Sequence, residues 1–106
     1  MQRMNELKIS PEAARDLAEI KRYISVELKN RSAAERVVLS IIKRLRILAE
    51  YPEAGMSLEA KTGFPTELRM LPCEKHIVFY RVEDNTVYVA RIISGRQDYM
   101  HILFGE

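Results

Sequence analysis

Seven apolar residues, Ala34, Val37, Val38, Ile41, Ile42, Leu45 and Leu48, recur with the spacing of one helical face in a stretch free of glycine and proline. A stripe of this strength has to be buried, and an isolated helix has nothing of its own to bury it against. The preceding stretch carries a second stripe: Ala13, Leu17, Ile20, Ile24 and Leu28, with Arg15, Glu19, Arg22 and Lys29 mostly on the polar side. Only a short break, Asn30-Arg31, separates the two. Two amphipathic helices so joined pair as an antiparallel hairpin. Ser10-Pro11-Glu12 supplies a start for the first, with a capping hydroxyl, a proline for the first helical position and an acid at the positive end of the dipole. Ser32 followed by Glu35 reads as a capping box for the second. Tyr51-Pro52 ends it, because proline disfavours helix in the residue before it.

The hairpin needs a surface to cover, and the rest of the chain is β-rich. Residues 6–9 alternate as a short strand, with Leu7 and Ile9 on one side. Residues 53–65, punctuated by Gly55, Gly63 and Pro65, read as an irregular loop. Residues 67–71 form a strand stopped by Pro72, and residues 76–82 a second strand rich in branched and aromatic side chains. Glu83-Asp84-Asn85 turns the chain back into a third over residues 86–93. Either Asp84-Asn85 alone or three residues through Glu83 can make that turn, and the two give different facing pairs. Ser94-Gly95 closes the strand, and residues 96–106 are a tail of mixed character. The expected architecture is α+β: an N-terminal strand, then a helix hairpin, packed on a small, largely antiparallel sheet in the order β-α-α-β-β-β. There is no internal repeat, linker or low-complexity segment.

Composition narrows the class. A chain of 106 residues suits one domain, residues 1–106, and 47% hydrophobic content excludes wholesale disorder. The net charge of +2 permits an acidic protein or nucleic acid as partner and demands neither. No apolar run is long enough to cross a bilayer, and the start, Met1 to Glu6, lacks the apolar stretch of a leader. The single cysteine, Cys73, cannot form an internal disulfide, which fits a reducing cytoplasm. One cysteine and two scattered histidines make no metal ligand set, and four dispersed glycines make no phosphate loop, so neither metal nor cofactor is expected.

With these elements in order, the chain resembles the RelE/ParE family of toxins along nearly its whole length. The first helix, Ala14 through Asp16-Leu17 to Ile20 and Tyr23-Ile24, is similar to that family's first helix. Leu48, Pro52 and Gly55 resemble its helix exit, and Leu68-Arg69-Met70-Leu71 its leucine-arginine strand. Val78-Phe79-Tyr80-Arg81-Val82 resembles its aromatic-tyrosine-arginine strand, and Arg91-Ile92-Ile93-Ser94-Gly95-Arg96-Gln97-Asp98 its closing segment. The resemblance implies a toxin of a type II toxin–antitoxin pair, neutralised by a cognate antitoxin that drapes a partly acidic segment over it. It also implies one of two targets. ParE-like members poison DNA gyrase, whereas RelE-like members cut mRNA on the ribosome. Here Ile77 stands where the nucleases commonly carry an arginine, and Gln97 replaces the second arginine of their glycine-arginine-arginine motif. Ribonuclease chemistry needs an acid, a base and cations for the developing phosphate charge, so both departures tilt the reading toward gyrase. A degenerate toxin that only binds its antitoxin is a third reading.

The candidate residues follow. Arg69, Arg81, Arg91 and Arg96 form the expected cationic surface for antitoxin or target; as ordinary arginines they would instead lay their stems on the sheet. If the chain is a nuclease, Arg69, Arg96, Tyr99 and His101 are its expected catalytic groups. Otherwise His76 and His101 are strand-end or surface histidines, Tyr99 packs its ring, and Tyr80 and Tyr88 are sheet residues. Arg36, Lys43, Arg44 and Arg46 lie on the polar side of the second helix, either as a partner site or as a solvated face supported by an Arg46–Glu50 pair. The pattern does not set the oligomeric state.

Overall fold

The computed structural model describes residues 4–105. Met1 to Arg3, half of the stretch read for a leader, and Glu106 of the tail lie outside the described residues. The order is β1 (Glu6–Ile9), α1 (Pro11–Arg22), a π-helical turn (Tyr23–Glu27), α2 (Arg31–Glu50), β2 (Met56–Ser57), α3 (Leu58–Thr62), β3 (Arg69–Cys73), β4 (His76–Glu83), β5 (Thr86–Ser94) and α4 (Tyr99–Phe104). The five strands make one sheet, β1-β5-β4-β3-β2, with β1 parallel to β5 and every other pair antiparallel. The architecture is the expected α+β arrangement of a helix hairpin on a largely antiparallel sheet.

Alternation along β4 divides the core. Val78 and Tyr80 point into a cluster with Ala13, Ile41, Leu45 and Leu48 of the hairpin. Ile77 and Phe79 point the other way, into a second cluster with Leu58, Met70 and Ile93. Period-two alternation requires this of a strand buried on both faces. Each fully buried aliphatic side chain here contributes about 1.5–3 kcal/mol of transfer free energy. The hairpin supplies the cover on the first side. On the second, α4 supplies it with Tyr99, Met100, Ile102, Leu103 and Phe104, and Phe104 stacks on Phe64 at 4.4 Å between ring centres.

Several expectations need correction. The cap of α2 is Asn30 and not Ser32: Asn30 Oδ1 accepts from Ala33 N at 3.0 Å, and the Ser32 hydroxyl only donates to that same oxygen. Leu28 falls off the α1 stripe, because a five-residue hydrogen bond from Leu28 N to Tyr23 O widens the helix into a π turn and leaves Leu28 exposed. Ile9 is exposed too. The loop over residues 53–65 holds β2 and α3; Ser57 Oγ caps α3 by accepting from Ala60 N at 3.1 Å, and Gly63 ends it with φ 79°. Pro72 does not stop β3, which begins at Arg69 and runs to Cys73. The outer neighbour β2 pairs only with Arg69 and Met70, so Pro72 lies where the outer edge is open and a missing N–H is tolerated. The tail from Arg96 contains α4, capped by Asp98.

The hairpin register is settled. Glu83 pairs with Thr86, so the turn is the two-residue Asp84-Asn85, both at positive φ, 48° and 61°. A bulge between Phe79 and Tyr80 then shifts the pairing: Phe79 faces Arg91 while Tyr80 faces Val89, leaving Ala90 as the extra residue.

Candidate functional site: a groove between the helix hairpin and the sheet end

β1 stops at Ile9, and the edge of β5 beyond it would be left open. Ser10 covers the first part of it. Its amide donates to Val89 O at 3.0 Å and its hydroxyl to Ala90 O at 2.7 Å, while the same hydroxyl accepts from Ala13 N to start α1. Further along α1, Asp16 covers the next part. Asp16 Oδ2 accepts from the Ile92 amide at 2.9 Å, and its two oxygens accept from Arg91 Nε and Nη2 at 2.7 and 2.8 Å. A carboxylate on α1 therefore stands in for the missing strand, and that hydrogen bonding raises the Arg91 pKa above the usual arginine value.

Beside this contact, between the helix hairpin and the end of β5, lies a groove of about 910 Å³. Ile20, Ile24 and Val37 of the hairpin, Ile92 and Ile93 of β5 and Ile102 of α4 are its apolar lining. Tyr23 and Leu28, both exposed, stand on the rim made by the π turn. Arg36, Lys75 and Arg96 bring cations to it, and Glu19 and Glu74 bring carboxylates. Arg36 is paired with Glu74 at 3.1 Å and Glu19 with Arg22 at 2.6 Å, which lowers the Glu19 pKa. Arg96 is exposed and has no ion pair among the described residues. His76 is half-buried at the edge, and its burial lowers its pKa. An apolar trough with an unpaired guanidinium at one side can seat an extended or helical segment that offers aliphatic side chains and a carboxylate.

The expected site residues are distributed over both faces of the sheet. Arg91 and Arg96 line the groove. Arg81 stacks on Tyr88 at 4.1 Å and pairs with Glu83, and Lys8 approaches the same ring at 5.9 Å. Arg69 lies opposite Tyr80 and lines a separate cleft at the end of α2, with Tyr51 and Val82. There its Nη2 donates to Gly55 O at 2.6 Å. Tyr80 completes that clasp: its hydroxyl accepts from Gly55 N at 2.9 Å and donates to Pro52 O at 2.7 Å. Tyr99 packs on Phe79 with 5.2 Å between ring centres, on the opposite face of the sheet from Tyr80. His101 is exposed on α4, its amide held by Asp98. Arg69 is thus on one side of the sheet, with Tyr99 and His101 on an element covering the other. Ile77 is buried beneath α4, and Gln97 lies on the groove wall.

The expected site residues left out Asp16, Ile20, Tyr23 and Ile24, although the family resemblance of the first helix runs through all four. A tyrosine on the polar side of an amphipathic helix was the available signal for Tyr23; for Asp16 it was the family resemblance alone, because its partner lies 75 residues away. Cys73 is buried, and burial raises its pKa, so it is not an activated thiolate. Among the described residues no His, Cys, Asp or Glu cluster could hold a metal, and no helix is long and apolar enough to cross a membrane.

Residues 7–99 match the family model described as "ParE toxin of type II toxin-antitoxin system, parDE". A chain of the solved chromosomal ParDE toxin–antitoxin system from P. aeruginosa is 25% identical, with 86% of this chain and 96% of that chain covered and a TM-score of 0.71. A chain of the RelBE2 toxin–antitoxin complex from Mycobacterium tuberculosis superposes with a TM-score of 0.65 over 92% of this chain and 98% of that chain; at 14% identity that likeness is one of fold. No curated protein matches the chain.

Proposed function

The chain belongs to the ParE toxin family of type II toxin–antitoxin systems, and from that premise we propose that it arrests growth by binding DNA gyrase and is silenced by a cognate antitoxin seated in the groove. The placement of Arg69, Tyr99 and His101 on opposite sides of the sheet is the observation that favours gyrase over mRNA. An endoribonuclease has to aim its acid, base and cations at one phosphodiester. Here Arg69 is tied to the Gly55 carbonyl, Tyr99 is packed on Phe79, and Ile77 is buried. A gyrase poison needs a rigid surface and no such convergence.

The groove supports the antitoxin half of the reading. An antitoxin segment with aliphatic anchors would fill the trough over Ile20, Ile24 and Val37, and a carboxylate would meet Arg96. Arg91 would take part through the wall it forms with Asp16. The action belongs in the cytoplasm, where gyrase works. Induced expression in the native host tests the choice of target: growth arrest with DNA damage and intact transcripts supports gyrase. Site-specific transcript cleavage without DNA damage would contradict it and favour the ribosome.

A further inference from the structure

The outer face of α2 carries a row of residues that neither the core nor the groove uses. Leu39, Lys43 and Ile47 follow one another at four-residue steps, with Arg46 three residues after Lys43, on the side opposite the buried stripe, so the four share one face. All four are exposed, the two aliphatic members, Leu39 at 56% and Ile47 at 40%, standing at the two ends of the row. The expected Arg46–Glu50 support is absent. Among the described residues neither Lys43 nor Arg46 has an ion pair. The row spans roughly 12 Å of helix axis, about two turns. It starts beyond Ala33, Arg36 and Val37, the residues by which α2 lines the groove.

We propose that this row is a second docking surface, for an acidic amphipathic helix of the toxin's protein target. The proposal rests on the toxin reading above and adds the place of target contact and the chemistry that fits it. Charge decides the occupant. Two unpaired cations between two aliphatic side chains match a helix with leucine-like residues at three- and four-residue steps and carboxylates beside them. A second copy of this chain would bring cation against cation, which costs free energy at close range. A DNA backbone would use the cations and leave Leu39 and Ile47 without a function. Removing the two charges from the exposed face touches no buried contact, so the fold survives the test.

The experiment compares the chain with its Lys43→Glu/Arg46→Glu variant by induced growth arrest in the native host. Binding of purified protein to cognate antitoxin and to a short DNA duplex is measured alongside, and Lys61→Glu on α3 is the control for lost positive charge. The row predicts that the variant needs about tenfold more expression to arrest growth while its antitoxin affinity moves less than about threefold. A second variant, Leu39→Ser, also loses potency and changes no charge. Full potency in both variants would overturn the proposal. So would loss of antitoxin binding in the charge variant, which would place the row under the antitoxin, or duplex binding by the parent chain that the variant loses. A parent chain that does not arrest growth at all overturns the toxin reading itself, a result distinct from a defect confined to the variants.

Discussion

Asp16 and Arg91, 75 residues apart, form a two-bond fork at 2.7 and 2.8 Å, and the same carboxylate takes the Ile92 amide at 2.9 Å. One side chain therefore ends the sheet edge that β1 leaves unfinished, fixes α1 against β5, and sets a wall of the groove. Asp16→Ala should cost about 2–3 kcal/mol, because a partly buried guanidinium and a strand amide both lose their acceptor. Urea unfolding would read this directly. Arg91→Ala should cost less than Asp16→Ala, since the carboxylate keeps the Ile92 amide. The double variant should fall short of the sum of the two, as expected for residues in contact.

Gly55 sits where nothing larger fits. A Cβ there would lie 2.6 Å from Met70 O and 2.7 Å from the Tyr80 hydroxyl. Gly55→Ala should therefore destabilise by about 1–3 kcal/mol through forced movement of β3 or the Tyr80 ring. Tyr80→Phe should cost a similar amount by another route, leaving Gly55 N and Pro52 O without the hydroxyl that links them. Thermal melts of the two variants check both, with a shift of about 4–8 °C for each kcal/mol in a chain of this size.

His76 gives the stability a pH dependence. Burial lowers its pKa below the ordinary 6.5, so between those two values the unfolded chain binds more protons than the folded one. Stability from this group is complete above pH 6.5 and is lost as pH falls through the unfolded value toward the folded one. Denaturant midpoints of the parent chain and of His76→Gln, measured from pH 7.5 downward, should diverge below pH 6.5, with the parent losing more. Parallel curves would show that His76 contributes nothing to the acid sensitivity.

The Asp84-Asn85 turn, with both residues at positive φ, favours a glycine at its second position. Asn85→Gly should leave stability unchanged or raise it by roughly 0.5 kcal/mol, whereas Asn85→Val should lower it by about 1 kcal/mol or more, because a branched side chain resists that backbone. Chemical denaturation distinguishes the two outcomes.

Local pattern explains which elements could be read in advance. The α2 stripe and the alternating runs of β4 and β5 repeat often enough to define a period, and Asp84-Asn85 marks their turn. α3 and α4 have five and six residues, too few for a period to show. Their caps, Ser57 with Gly63 and Asp98 with Gly105, were the legible signs. Pro72 looked like a strand end because its tolerance depends on β2 stopping short at the neighbouring edge. The groove was harder still. Arg91 and Arg96 were legible as cations, but the carboxylate that organises the wall and the widened turn that lifts Tyr23 and Leu28 to the rim depend on contacts that no local window contains.

On the proposed function, this ParE-family chain acts on gyrase through a rigid surface, without a catalytic centre. Purified protein mixed with gyrase from the native host, ATP and supercoiled plasmid tests it most directly, scored for DNA trapped in cleaved form on the enzyme. Cleaved complexes should accumulate with toxin dose and disappear when cognate antitoxin is added. Unchanged supercoiling by an active gyrase at saturating toxin, with growth still arrested in cells, would contradict it.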